Sequence, residues 1–591
     1  MSSINPQTAA PGQPIPIPDD FPVSWEDPDD ARLTWQLDNH ATLPMAPLSC
    51  SVAAAVLSGF TPAFGQFGLP IHLRIRFFNG YPYAAVVPTS APPEALMKTI
   101  GAVNRFAPGL VRLLTGRMSA QMAKQQLDKI NPILARVDYY WQDELLPEIN
   151  QHFAYFESCD LRGLSLAQLR AHFTESLQRT EKLGELHLRA GFSSPIAMSM
   201  FEELYLELFP DETSLDALRL LQGFDSQTLA GDRLLWQLSR AALAVPAVYQ
   251  AFAGCPAPEV IPVLEGSAEG RRFLTGFKAY LNQYGQRLNA FGQLTEPSWL
   301  EQPTTAVECL KAYITQPEAN LEAEQSRLAS AREAAVADAR ARLSGYPQPV
   351  VAEFETLLKA AQSGARIKED NHWVIERLFY QMRRLALEFG QRLASTGALE
   401  TEDDVFYLTS DELLAGNLDA GSLPGPERVR QRKAEREYYS RVTPPRMLGA
   451  TPPFMPDDNS PFGQAMKKTD FAVQADSGDA DWLHGQAGSP GIVRGKARIV
   501  HSLAEAGKLQ PGEILVTQTT MPPWTPLFGI AAAVVTDYGG VLSHCAIVAR
   551  EYGIPAVVGT GRATKTFHDG QLLDVDGNAG TVRIVLSPSE S

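Results

Sequence analysis

Gly539, Gly540, Ser543 and His544 fall within one short run of the chain, inside Thr536–Gly559 (TDYGGVLSHCAIVAREYGIPAVVG). Together they suit one kind of chemistry. An imidazole, with a pKa near ~6.5, is largely neutral at working pH and can act as a nucleophile. A phosphoryl group received by it is a dianion and needs donors, which the free N–H groups and positive dipole end of a helix supply. Glycines permit close approach and positive φ in the entering turn. The Ser543 hydroxyl can donate to the group or cap the helix. Arg550 can pair with phosphate if its side chain folds back toward the turn. The expectation is covalent phosphoryl carriage on His544. A lone histidine at a helix start is more often structural, so the rest of the chain has to decide.

The elements that must hold this histidine follow from periodicity. Ser543–Tyr552 reads as a helix, with Ile547 and Val548 apolar and Arg550 and Glu551 polar. Around it lie short strand-like runs at Glu513–Val516, Ala532–Thr536, Ala556–Val558, Leu572–Val575 and Val582–Val585, punctuated by Gly and Pro. Before them the pattern is helical. Ser165–Arg189 has apolar residues at three-to-four spacing, with Ser165 or Asp160 as N-cap. Asn371–Leu393 carries an apolar face of Val374, Ile375, Leu378, Phe379, Met382, Leu385 and Phe389. Ala319–Leu343, rich in Ala, Glu and Arg, predicts a long solvated helix. Near the start, Leu69–Phe78 alternates and is followed by Asn79-Gly80, which predicts strands and a turn.

The expected division is a disordered leader at 1–20, a small strand-containing part at 21–90, a helical acceptor-binding body at 91–442, a Pro-rich linker at 443–483, a small β/β/α domain at 484–586 and a tail at 587–591. The fold class is multidomain α plus α/β. At 591 residues the chain is too long for one core. A net charge of −16 argues against a general nucleic-acid or anionic-membrane binder. Five scattered cysteines with no CxxC pair suggest neither a disulfide framework nor zinc, so no metal ligand is assigned. Cys545 reads as a small packing residue. The apolar stretch Ala46–Phe60 is too short to span a bilayer, and no secretory signal is evident. The cytoplasm is the expected location.

His484–Val500 (HGQAGSPGIVRGKARIV), Gly512–Leu527, Ala531–Gly559 and the closing Asp569-Gly570, Asp574, Gly577 and Gly580 together resemble the mobile phosphohistidine domain of the phosphoenolpyruvate-utilising enzyme family. The resemblance implies that His544 is the phosphorylated residue. It also implies that the domain swivels between an ATP-grasp loader and an acceptor module. No GxxxxGK[ST] is present, and no ATP-grasp pattern is found before residue 484. A helical body followed by the carrier domain resembles rifampin phosphotransferase without its ATP-grasp domain. It also resembles the histidine-bearing subunit of phenylphosphate synthase. A separate ATP-grasp subunit is therefore the expected partner, with Mg²⁺ and ATP bound at its site and no cofactor held tightly by this chain.

The acceptor, a small organic hydroxyl compound of phenol-like kind, needs an apolar pocket, a base and positive charge. Tyr284–Pro303 contributes Arg287 and Glu301. Arg366-Ile-Lys-Glu-Asp-Asn-His contributes Arg366, Lys368, Glu369 and His372. Relatives often have His where this chain has Gln286, which weakens any acid–base role there. The same Arg366–His372 run also reads as an N-terminal helix cap with a solvated charge cluster. Two other functions remain open: a ligase that activates a substrate by phosphorylation for condensation, and a non-catalytic homologue.

Overall fold

The computed structural model describes residues 12–89, 121, 123–316, 320–415, 423–451, 460–469, 478–479 and 482–585. Most of the leader and the whole of the tail 587–591 lie outside them.

The first unit is a four-stranded antiparallel sheet in the order β2-β3-β1-β4, from β1 (Thr34–Leu37), β2 (Ile71–Phe78), β3 (Tyr81–Pro88) and β4 (Met447–Gly449). The β2–β3 hairpin turns at Asn79 and Gly80, with φ of 53° and 83°. Positive φ at both central residues matches the twist of the flanking strands, as the Asn-Gly pair predicted. Trp35, Tyr81 and Tyr83 are buried beneath the sheet.

The expectation of a Pro-rich linker or extended strap at 443–483 is refined by β4, because Trp35 pairs with Leu448 and closes the sheet. Pro461–Met466 in the same stretch is a short helix capped by Ser460. The leader is corrected in the same way. Ile15 N–H donates to the Gly449 carbonyl at 2.8 Å, and Pro14 bridges Ala450. Extended, Pro-containing chain needs few donors of its own and can lie along an open strand edge.

The helical body is built on α1 (Pro47–Ser58), α2 (Leu166–Leu208), α3 (Gln227–Leu243) and α4 (Gln348–Ser395). Ser165 opens α2 with a complete capping box to Gln168. Gly184 lets α1 cross α2 closely, since a Cβ there would lie 2.1 Å from the Val56 carbonyl oxygen. Pro47–Gln66 is long and apolar enough to cross a membrane by length and composition alone. Here it is broken by Gly59, and Val52 and Val56 bury in the common core with Leu183 and Leu186. Leu321–Arg342 is helical and largely exposed, as its composition predicts.

The main departure is α4, expected only over Asn371–Leu393. It begins at Gln348 and runs unbroken for 48 residues. The run Arg366–His372 is thus mid-helix and not a cap. Lys368, Glu369 and Asn371 are buried in it. Asp370, read as a cap for its own helix, accepts from Gln227 N–H at 2.8 Å at the start of α3.

The C-terminal unit holds a nine-stranded mixed sheet, ordered β5-β6-β13-β12-β8-β9-β10-β11-β7. Its strands are β5 (Gly478–Asp479), β6 (Trp482–His484), β7 (Gln486–Ser489), β8 (Ile492–Ile499), β9 (Ile514–Thr517), β10 (Ala533–Thr536), β11 (Ala556–Val558), β12 (Leu572–Asp576) and β13 (Thr581–Ile584). β8, β9, β10 and β11 run parallel, and α5 (His544–Glu551) crosses between β10 and β11. One apolar cluster spans both units: Leu515, Phe528, Val534, Cys545 and Val548 share it with Leu235, Phe277, Tyr280, Trp299 and Tyr313. The small domain therefore sits docked, with α5 facing the helical body. Cys545 is a buried packing residue in that contact.

Candidate active site

Local sequence sets the entry to α5. Gly539 has φ of 113°. Ser543 is the N-cap, its hydroxyl accepting from Ala546 N–H at 3.3 Å. Gly540 is needed for contact: a Cβ there would come within 2.4 Å of the Lys468 backbone carbonyl. Leu542 N–H donates to that carbonyl at 2.7 Å, and Lys468 Nζ pairs with Glu202 at 2.9 Å across to α2. Gly540→Ala is expected to lose about 1–3 kcal/mol through this overlap, read by denaturant unfolding.

His544 is 1% exposed. Its Nδ1 lies 3.0 Å from Glu369 Oε2 on α4. Burial pushes the Glu369 carboxyl up, but the charge and hydrogen bond of His544, then Lys368 and Arg550, more than offset it, so the group sits below its usual range. An ionised carboxylate only accepts, so Nδ1 carries a proton and donates it to Glu369. Nε2 is buried and has no hydrogen-bond partner. The same holds for Glu369 Oε1 and for Lys368 Nζ. The His372 ring lies 6.0 Å from that of His544, and Phe528 closes the other side at 6.5 Å. Burial first, then the charges of Lys368, His544, His187 and His40, hold His372 well below its ordinary pKa, so it is neutral.

A second group lies one to two turns further along α4. Arg287 is wholly buried, with its Nε 3.5 Å from Glu376 Oε2 and the Trp373 and Trp299 rings at 5.2 and 5.7 Å. None of its three side-chain nitrogens makes a hydrogen bond, and neither does either Glu376 oxygen. Burial pushes the Glu376 carboxyl up to about 7, against the pull of Arg287. Glu369, His372, Trp373 and Glu376 stand at i, i+3, i+4 and i+7, a single face of one helix. Asp232 on α3 accepts from Tyr552 of the small domain at 2.8 Å, and Tyr313 lies 3.3 Å from the same hydroxyl. Burial raises Asp232 to about 7.

Of the residues singled out in the sequence, Lys368, Glu369, His372 and Arg287 are brought to this interface with His544. Three are not where they were expected to act. Glu301 accepts from Ser298 N–H at 2.8 Å and from Arg383 Nε at 3.0 Å, so it closes a turn. Arg366 is half-exposed and pairs with Asp138 at 2.9 Å. Arg550 does not reach back to the turn. It donates to the Gly488 carbonyl at 2.5 Å and ties α5 to β7, touching the site only through its field on Glu369. Glu376, Asp232 and Tyr552 were assigned no role from the sequence, and Trp373 stood there only as the residue after the Arg366–His372 run. Only Glu376 and Trp373 left a signal there, as helical repeats of Glu369.

Glu551, next to Arg550, accepts from Gly223 N–H at 2.9 Å across the interface. Burial pushes it up to about 8, against that hydrogen bond and the charges of Arg550 and Arg332, with Glu369 adding to the rise. The docked state thus holds a proton that an exposed Glu551 releases near its ordinary 4.5. Its contribution to docking is full below that value and is lost as pH rises toward about 8. The docked fraction, followed by small-angle scattering, is expected to fall from pH 6 to 8.5. Glu551→Gln should reduce that dependence.

Among the described residues, no three or more His, Cys, Asp or Glu side chains are grouped to hold a metal ion.

Residues 509–580, with His544 inside them, match the mobile domain of PEP-utilising enzymes. The C-terminal unit is therefore similar to such a mobile domain over most of its length. Residues 187–369, which carry Asp232, Arg287, Lys368 and Glu369, match the fourth domain of rifampicin phosphotransferase. Chondramide synthase of Chondromyces crocatus is 37% identical over 98% of this chain and 14% of its own length. An uncharacterized phosphotransferase of Bacillus subtilis is 28% identical over 75% of the chain and 53% of itself. Rifampicin phosphotransferase of Streptomyces sviceus is 32% identical over 58% of the chain and 38% of itself. The chain spans about half or less of the length of these relatives. The matches agree with the expected phosphotransferase chemistry built on a phosphohistidine mobile domain.

Proposed function

We propose that this chain carries a phosphoryl group on Nε2 of His544 and delivers it to an organic hydroxyl compound held in the helical body. The reading rests on one observation: a buried imidazole whose Nδ1 is fixed by Glu369 and whose Nε2 has no partner, with the neutral His372 ring 6.0 Å away. Glu369 keeps Nδ1 protonated. With the phosphoryl group on Nε2 the ring is cationic, and it departs from phosphorus as neutral imidazole, a far better leaving group than imidazolate. Lys368, next to Glu369 on α4 and with its Nζ buried and unpartnered, is proposed to offset the charge on the moving phosphoryl oxygens.

In the docked pose His544 is closed off from solvent, so loading takes place with the domain swung away. Two half-reactions through one covalent intermediate follow. A separate ATP-grasp subunit is the proposed loader, with ATP and Mg²⁺ bound there, and a phenol-like alcohol is the proposed acceptor. The proposed setting is the cytoplasm. Incubating the chain with a co-encoded ATP-grasp protein and ATP labelled in the β-phosphate should place an acid-labile label on the chain. Added acceptor should then remove it as a stable phosphoester.

A second reading is favoured by the name of the synthase relative that aligns over nearly all of this chain. In it the phosphoryl group activates one substrate for condensation. A condensed product together with free phosphate, in place of a phosphoester, would select that reading.

A further inference from the structure

A cleft enclosing about 650 Å³ of empty space, counted out to solvent, opens where three parts of the chain meet. Its wall takes His40 from the N-terminal unit, Phe291 and Phe379 from the helical body, and His501 and Trp524 from the mobile domain. Glu376 stands among them. Phe291 lies 5.5 Å from the His40 ring and 5.7 Å from Phe379. The cleft is therefore lined by aromatic rings, with Glu376 the one acidic residue on its wall and both Glu376 oxygens buried behind the surface.

The cleft is linked to His544 along α4. Glu376 is one turn along α4 from His372, whose ring is 6.0 Å from His544. His40 on the cleft wall acts on that same His372 electrostatically. Glu376 is 92% buried, and neither of its oxygens accepts a hydrogen bond, although Arg287 stands 3.5 Å away. A buried carboxylate is almost always bonded, so an exception calls for a reason. A ligand hydroxyl supplies one.

Resting on the carrier reading above, we propose that Glu376 is the base for the acceptor and that the acceptor is an aromatic hydroxyl compound seated in this cleft. Arg287 orients the carboxylate from behind. The acceptor O–H proton passes to Glu376, and the oxygen forms a bond to phosphorus. The P–Nε2 bond breaks with its electron pair left on the imidazole, which keeps its Nδ1 proton. Glu376 then releases its proton to solvent. The raised carboxyl of Glu376, near 7, suits a base at neutral pH.

The test uses the full chain loaded chemically with phosphoramidate, followed by discharge onto phenol and onto the more acidic 4-nitrophenol. Wild type, Glu376→Gln and Glu376→Asp should load His544 equally, which also reports intact folding. Discharge onto phenol should slow about 10²-fold or more in Glu376→Gln, with the Asp variant between. The rise in wild-type rate through about pH 7 should vanish in the Gln variant. Discharge onto 4-nitrophenol, which needs little help to ionise, should change far less. Equal phenol rates in wild type and Glu376→Gln, or an equal slowing of both phenols, would overturn the proposal. So would a loaded wild type that delivers to neither phenol. Failure of wild type to load, or loading of His544→Ala, instead sinks the carrier reading itself.

Discussion

His544→Ala abolishes phosphoryl uptake. The label is held by a P–N bond to Nε2, and no other described imidazole stands in the same surroundings. The His372 ring lies 6.0 Å away, but it is on the helical body and would stay behind in the proposed swing of the small domain to its loader. Loss of a covalent nucleophile costs on the order of 10⁴–10⁶-fold, so the labelled band should fall to background. A second effect accompanies it. Without the imidazole, Glu369 is left buried with no partner for either oxygen. That costs about 1–3 kcal/mol of docking or stability. A melting curve on the same preparation reads this second effect.

Glu369→Gln should separate the two half-reactions. In the proposed cycle loading takes place with His544 away from α4 and needs nothing from Glu369, so the variant should take up label at the wild-type rate. Delivery needs the cationic phosphorylated ring that only a carboxylate sustains. An uncharged amide no longer favours the proton on Nδ1, and the leaving group shifts toward imidazolate. A comparable carboxylate-to-amide change beside a catalytic histidine costs about 10⁴-fold. The visible result is a phosphorylated chain that accumulates and discharges roughly 10²–10⁴-fold more slowly. A Gln variant that discharges normally would show that Glu369 only packs against the ring.

The local setting of His544, the proposed carrier, was legible because its features are neighbours in sequence. A positive-φ glycine, a small hydroxyl cap and a nucleophile at a helix start must be neighbours in sequence, and Gly539, Ser543 and His544 are. The β2–β3 turn and Ser165 as one of two candidate N-caps were legible for the same reason. The acceptor side was only half legible. Lys368, Glu369 and His372 stood out as a charged cluster, but that very polarity suggested a helix start. The polar residues are internal to α4 because they face a docked domain instead of water. Arg287 with Glu376, and Asp232 with Tyr552, join segments far apart in sequence, and no local pattern records such pairs. β4 was hidden by the prolines around it: three residues suffice to complete a sheet edge, too few for any alternation to show.

The continuity of α4 through this region sets a phase as well as a position. Each residue advances about 100° around the helix axis. Inserting or deleting one residue between Glu369 and Glu376 would leave Glu369 against His544 and turn Glu376 out of the cleft. The seven-residue interval returns the second carboxylate to within about 20° of the first. Length changes before Glu369 or after Glu376 disturb packing but keep the two carboxylates in step. Within the interval, α4 acts as a gauge that fixes how far an acceptor hydroxyl can stand from the phosphorus it attacks.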